Sequence, residues 1–101
     1  MSTLEKIKDE QIDVLFQAIL SLENKEECYK FFEDILTIAE VKAMAQRLAV
    51  ARMLEKGETY TEISQQTGAS TATISRVKRC LVYGADGYRL VLDRLKEEGI
   101  F

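Results

Sequence analysis

An all-α fold follows from three observations on the 101-residue chain. There is no proline, the residue that most often breaks a helix. The five glycines, at 57, 68, 84, 87 and 99, each fall where one helical pattern stops or the next begins. Apolar residues recur at helical spacing from near the N-terminus to Leu95. The length makes residues 1–101 a single small multi-helix domain, and a domain of this size buries a limited fraction of its surface and gains stability by associating.

Residues 1–36 read as N-terminal helices that serve dimerisation. From Leu4 to Leu22, Ile12, Leu15, Phe16, Ile19 and Leu22 form one stripe, with Asp9, Glu10 and Asp13 on a solvated acidic face. Asn24 and Glu27 have the spacing of a capping box. They open a second helix whose Cys28, Phe31, Phe32, Ile35 and Leu36 make a stripe suited to a core or a subunit contact.

Thr37 and Glu40 form another capping box and start a central helix over 38–56, which Gly57 ends. Alanines and larger apolar residues occur all round it, so it needs cover on several sides, more than one short chain supplies. A homodimer sharing a core around this helix is the expectation. Arg47 is its oddity, a charge followed by Leu48, Ala49, Val50 and Ala51.

Residues 59–83 carry a helix-turn-helix. Thr59 with Glu62 is a capping box, Gly68 can take the left-handed conformation of a tight turn, and Ser70 can cap the next helix. Gly68 lies five residues after Ile63, six before Ile74 and nine before Val77, which lets one apolar residue of the first helix meet two of the second. Winding the second helix at about 100° per residue puts Ile74, Val77 and Leu81 on one stripe. Ala72, Ser75, Arg76 and Arg79 then lie opposite, Lys78 is on the flank, and Thr71 and Thr73 are near the N-terminal end. No acid falls between Gly68 and Ala85. Hydroxyls, an alanine and arginines on a face free of carboxylates suit phosphate contact and base-edge readout in double-stranded DNA. After a break at VYGAD, Asp86 is placed to cap a last helix over 86–98, with Tyr88, Val91, Leu92 and Leu95 on its apolar face.

The net charge of −3 hides an asymmetry. Residues 1–40 hold four bases and ten acids, residues 41–80 seven bases and three acids, and residues 81–101 three bases and four acids. A basic face on one element matters more for DNA than the overall balance. With no histidine the commonest general base and zinc ligand are missing, so neither an enzyme nor a metal site is expected. Cys28 and Cys80 read as reduced packing residues. No stretch approaches the roughly 20 apolar residues of a membrane span, and MSTLEKIKDE has acids where a signal peptide has an apolar run, so a cytoplasmic protein is expected.

The residues LT..E..A...R at 36–47, the glycine after a long helix at Gly57, and GAS.ATISR at 68–76 resemble the tryptophan repressor superfamily. GASTATISRVKRCL and LAVARML look most like its YerC/YecD branch of small regulators. The resemblance implies an intertwined dimer that presents one recognition helix per subunit to successive major grooves. It also implies an effector pocket at Arg47 and Arg76, the positions of the two arginines that sandwich an indole in the tryptophan repressor. The rest of that pocket departs from the family. Val77 stands where the repressor has a glycine that leaves room for the ring, Cys80 stands where it has a serine, and the segment between Gly57 and Gly68 is one residue shorter. Tryptophan is therefore not expected as corepressor, no cofactor is assigned, and the effector is open.

The expectation is a homodimeric DNA-binding transcriptional regulator, a repressor by resemblance. Arg76, Lys78 and Arg79 would reach phosphates or guanine edges, and Thr73 and Ser75 would hydrogen-bond base edges or phosphates. Ala72 would allow close approach, Ser70 and Thr71 would lie at the entry of the helix, and Thr59 and Tyr60 would touch the DNA backbone. The rival is an adaptor that keeps the fold and docks an acidic protein on the same helix.

Overall fold

The computed structural model describes residues 3–7 and 9–101. The N-terminal stretch read for a signal peptide includes Met1, Ser2 and Lys8, and the expected Leu4 to Leu22 helix crosses Lys8; these three lie outside the described residues. Seven helices and no strand occur among the described residues, in two compact units, Met1–Val41 and Lys42–Phe101.

In the first unit the single helix expected from Leu4 to Leu22 is two, α1 (Thr3–Ile7) and α2 (Glu10–Leu20). The cause is Asp9. It leaves the helical conformation, and its carboxylate accepts the amide N–H groups of Gln11 at 2.8 Å and Ile12 at 3.3 Å, so a residue read as part of a solvated face is an N-cap. Helix α3 (Lys25–Ile35) begins as expected at Asn24, whose side-chain oxygen accepts from Glu27 N–H at 2.9 Å. The reciprocal bond differs by one residue: the Glu27 carboxylate accepts from Glu23 N–H, not from Asn24. Phe31 and Phe32 meet edge to face at 5.5 Å, and Cys28 is half-buried and free. No residue of α1, α2 or α3 is buried.

Helix α4 (Ile38–Glu55) starts at the first unit's end behind the Thr37–Glu40 box, both of whose bonds form, at 2.9 and 3.1 Å. The Thr37 N–H, then its hydroxyl, hold the Glu40 carboxyl below its ordinary range. The all-round burial expected of this helix is not met within one chain. Val50, Ala51 and Met53 are buried, whereas Ile38 and Met44 are 73% and 50% exposed. The helix ends through bonds from Gly57 N–H to Leu54 O and Glu58 N–H to Met53 O, the pairing that a left-handed residue after a helix permits.

The second unit has a core of its own. Val50, Ala51 and Met53 of α4 cluster with Ile63 of α5 (Tyr60–Thr67), with Ile74, Val77 and Leu81 of α6 (Thr71–Tyr83), with Ala69 between them, and with Leu92 of α7 (Gly87–Glu97). Helix α7 is tied to α6 by Arg89 Nε donating to Leu81 O at 3.0 Å and to the end of α4 by Lys96–Glu55 at 2.7 Å. Asp86 does not cap α7 as expected. It sits in the left-handed region at φ +66°, outside the extended conformation in which a side chain reaches back to the first-turn N–H groups, and its carboxylate makes no capping bond. Among the described residues no helix is long and apolar enough to cross a membrane.

Candidate nucleic-acid interface

Local side-chain to backbone bonds mark the ends of the two helices of the motif. Thr59 and Glu62 form the full capping box of α5: Glu62 N–H donates to the Thr59 hydroxyl, and Thr59 N–H donates to the Glu62 carboxylate. The Thr59 hydroxyl also donates to that carboxylate at 2.8 Å. These bonds, the hydroxyl's first, hold the Glu62 carboxyl below its usual range. At the other end Gly68, at φ +74°, closes α5 with its N–H on Ser64 O, and the Ser70 hydroxyl accepts from Thr73 N–H to open α6. Gly84 ends α6 where a Cβ would collide with the Cys80 carbonyl oxygen.

The turn is held from within and from outside. Thr67 donates its hydroxyl to Ile63 O at 2.7 Å and accepts from Ala69 N–H at 3.1 Å. Gln46 of α4 donates its side-chain amide to Thr67 O at 3.0 Å. Under this frame Ile63, Ile74 and Val77 are buried at 0%, 0% and 2%, the meeting that the spacing about Gly68 predicts.

The opposite face of α6 is open. Ser70, Thr71, Ala72, Ser75, Arg76, Lys78 and Arg79 are all exposed, and Thr73 is half-buried. Arg76, Lys78 and Arg79 form no ion pair among the described residues; the Lys78 ammonium lies 5.8 Å from the Tyr60 ring centroid, which brings the flank of α6 beside the start of α5. Two of the expected contact residues have prior commitments. The Thr59 hydroxyl and N–H are consumed by Glu62, and the Ser70 hydroxyl by the α6 cap, so at these two places free backbone N–H groups, rather than those hydroxyls, are what a phosphate would meet.

The expected effector residues are only partly together. Val77 is in the core, Arg47 is half-buried with its Nε on Ala43 O at 3.3 Å, and Arg76 is exposed. Cys80 corrects the expectation of a packing residue. Helical winding sets it about 90° from the centre of the buried stripe, and it is exposed, lining an open cleft of about 420 Å³ with Leu48, Tyr88 and Val91. Tyr88 is pushed up in pKa by burial and by the Cys80 thiol beside it, against an opposing pull from Arg47 and Arg76. Helical spacing predicts only an apolar role for Tyr88, and none for Gln46 or Arg89. For Gln46 a signal existed, an amide within a run of small and apolar residues; Arg89 offered none.

Fold and site together define a small all-helical protein built round a helix-turn-helix with a basic outer face. The chain belongs to the Trp repressor family: the model of that family, described as Trp repressor protein, matches residues 10–96. It is 58% identical over 94 residues to the uncharacterized protein YerC of Bacillus subtilis (strain 168), covering 93% of this chain and 90% of that one. Its structure is similar to that of a candidate Trp repressor from Staphylococcus aureus, with a TM-score of 0.90, 52% identity and coverage of 95% and 96% of the two chains. It is also similar to a TrpR-like protein from Eubacterium eligens ATCC 27750, with a TM-score of 0.88, 53% identity and coverage of 91% and 95%. The family is one of regulators, not enzymes.

Proposed function

We propose that the protein is a sequence-specific DNA-binding transcriptional repressor that works as a homodimer, with α6 as the helix that enters the major groove. The acid-free outer face of α6 carries this reading, because its three cations are exposed and form no ion pair among the described residues, while the helix beneath them is fixed by caps and a buried stripe. Arg76 and Arg79 are positioned for guanine edges or phosphates, Lys78 for phosphate, and Thr73 and Ser75 for base edges. Ala72 keeps the surface low, and Tyr60 and the N–H groups at the start of α5 meet the DNA backbone. Family membership supports the reading, as does the name of the Staphylococcus aureus relative.

The dimer rests on surface that one chain leaves uncovered. Phe16, Leu20, Ile35, Ile38 and Met44 are exposed, a set of large apolar side chains that a stable soluble protein covers. Intertwining of the two chains, as the family resemblance implies, is the arrangement we propose for that cover. Val77 is buried in the core, and by the family resemblance it stands where an indole ring would need room, so tryptophan is not the proposed effector; calorimetric titration with L-tryptophan is expected to show no binding by the unaltered chain.

Selection of bound sequences from random duplex DNA tests the function. One enriched palindrome, with half-sites about one helical turn or roughly 10 base pairs apart, is the expected result. No enrichment would favour the adaptor reading.

A further inference from the structure

Round α6 from Cys80, by about 160°, Lys78 faces a second cleft. It measures about 500 Å³ and lies among the end of α4, the connection that follows it, the start of α5, the second half of α6 and the start of α7. Its ionisable lining is Glu55, Glu58, Tyr60, Lys78 and Arg89, and Leu54, Leu81 and Val82 supply apolar wall.

The charges here are unequally satisfied. Glu55 is taken by Lys96 at 2.7 Å. Arg89 spends its Nε on Leu81 O, which leaves the terminal N–H groups of its guanidinium. Lys78 pairs with no carboxylate among the described residues. Glu58 is the outlier, for its Oε2 is shut off from solvent and accepts no hydrogen bond from the described residues. A carboxylate with one oxygen desolvated and without a donor is costly, so a turn of the Glu58 side chain that brings this oxygen to a cation in the cleft relieves that cost.

We propose that this cleft binds a small zwitterion, with a primary ammonium held by Glu58, an anionic group held by Lys78 and Arg89, and a short hydrocarbon part against Leu54, Leu81 and Val82. A molecule with one charge satisfies one end and leaves the other without its partner, so both charges are required. Tyr60 and Lys78 also belong to the face proposed to meet DNA. On that reading an occupant that holds Lys78 takes it from a phosphate and weakens DNA binding. This second consequence rests on the DNA proposal; ligand binding itself does not.

Straight-chain ω-amino acids, from γ-aminobutyrate to ε-aminocaproate, form a ruler for the charge separation. Titrated into the full chain and followed by NMR, at least one is expected to bind saturably with a Kd on the order of 10 mM or tighter. The alkylamine and the alkanoate of the same length should bind about tenfold more weakly or not at all. Glu58→Gln, with its fold checked by circular dichroism, should lose the preference for the ammonium, and Lys78→Gln should weaken binding about tenfold. If no member of the series saturates the unaltered chain, or if Glu58→Gln binds it equally, the site is overturned. The bound probe should also lower duplex affinity in the unaltered chain and leave Glu58→Gln unaffected. Unchanged duplex affinity with the probe bound overturns the coupling alone. A chain that binds the probe but no duplex overturns the DNA reading and leaves the site standing.

Discussion

The two units of the chain solve the burial problem in opposite ways. Residues from Lys42 onward enclose a core in which Val50, Ala51, Ile63 and Ile74 are wholly out of water. In the other unit α1, α2 and α3 contain no buried residue, although their stripes of Ile, Leu and Phe are as regular as any in the chain. A hydrophobic stripe identifies a helix and its apolar face, but not whose side chains do the burying. The unit that presents the basic helix is packed by its own chain, and the acidic unit keeps apolar side chains exposed, which the proposed dimer would cover.

Substitution sharpens this contrast most strongly in the second unit. Ile74→Ala or Ile63→Ala removes a fully buried side chain and should cost about 2–5 kcal/mol in denaturant unfolding, a large part of the stability of a small domain. If Leu20 and Ile38, 75% and 73% exposed, were ordinary surface positions, changing them to aspartate would be nearly neutral. The dimer reading expects otherwise. Leu20→Asp with Ile38→Asp should shift the sedimenting species from dimer to monomer and make thermal stability fall with dilution. A monomeric mass for the unaltered chain at micromolar concentration would contradict the dimer, because the first unit would then be stable with its apolar faces in water.

Smaller effects are expected at the frame of the motif. Gln46→Leu strands the half-buried Thr67 carbonyl and should destabilise by about 1 kcal/mol, with a larger loss in DNA affinity than in fold because the turn before α6 is what it holds. Ser70→Ala removes the α6 cap and should cost about 1 kcal/mol. The smallest effect concerns pH. Glu62 and Glu40 have folded pKa values below the ordinary 4.5, so the stability their boxes contribute is present above that value. It is lost as pH falls through the lowered folded values, and Glu62→Gln should flatten this acid limb in a stability profile.

Much of the motif was legible because its determinants are local. Thr59, Glu62, Gly68 and Ser70 act within four residues of themselves, and the stripe of Ile74, Val77 and Leu81 follows from helical winding alone. The misreadings share a cause. Asp9 and Asp86 exchange roles, one capping where a continuous helix was expected and the other failing to cap where a cap was expected. A short polar side chain can serve either end of that choice, and backbone conformation decides it. Cys80 fits an apolar pattern by type, yet its place about 90° round the helix leaves it exposed. Gln46, Arg89 and the Glu58 cleft depend on contacts between distant segments, which spacing does not encode.

Whether the outer face of α6 reads DNA is decided by the salt dependence of duplex affinity for the unaltered chain and for Arg79→Ala. Two subunits with three cations each allow about six phosphate contacts, so log affinity should fall against log salt with a slope of at most about −5. Arg79→Ala should cost about 1–3 kcal/mol and relax preference at one base position of each half-site if it reads a guanine edge, while Lys78→Ala should weaken all sequences alike. A slope near zero, with affinity indifferent to Arg79, would mean that α6 does not enter a groove.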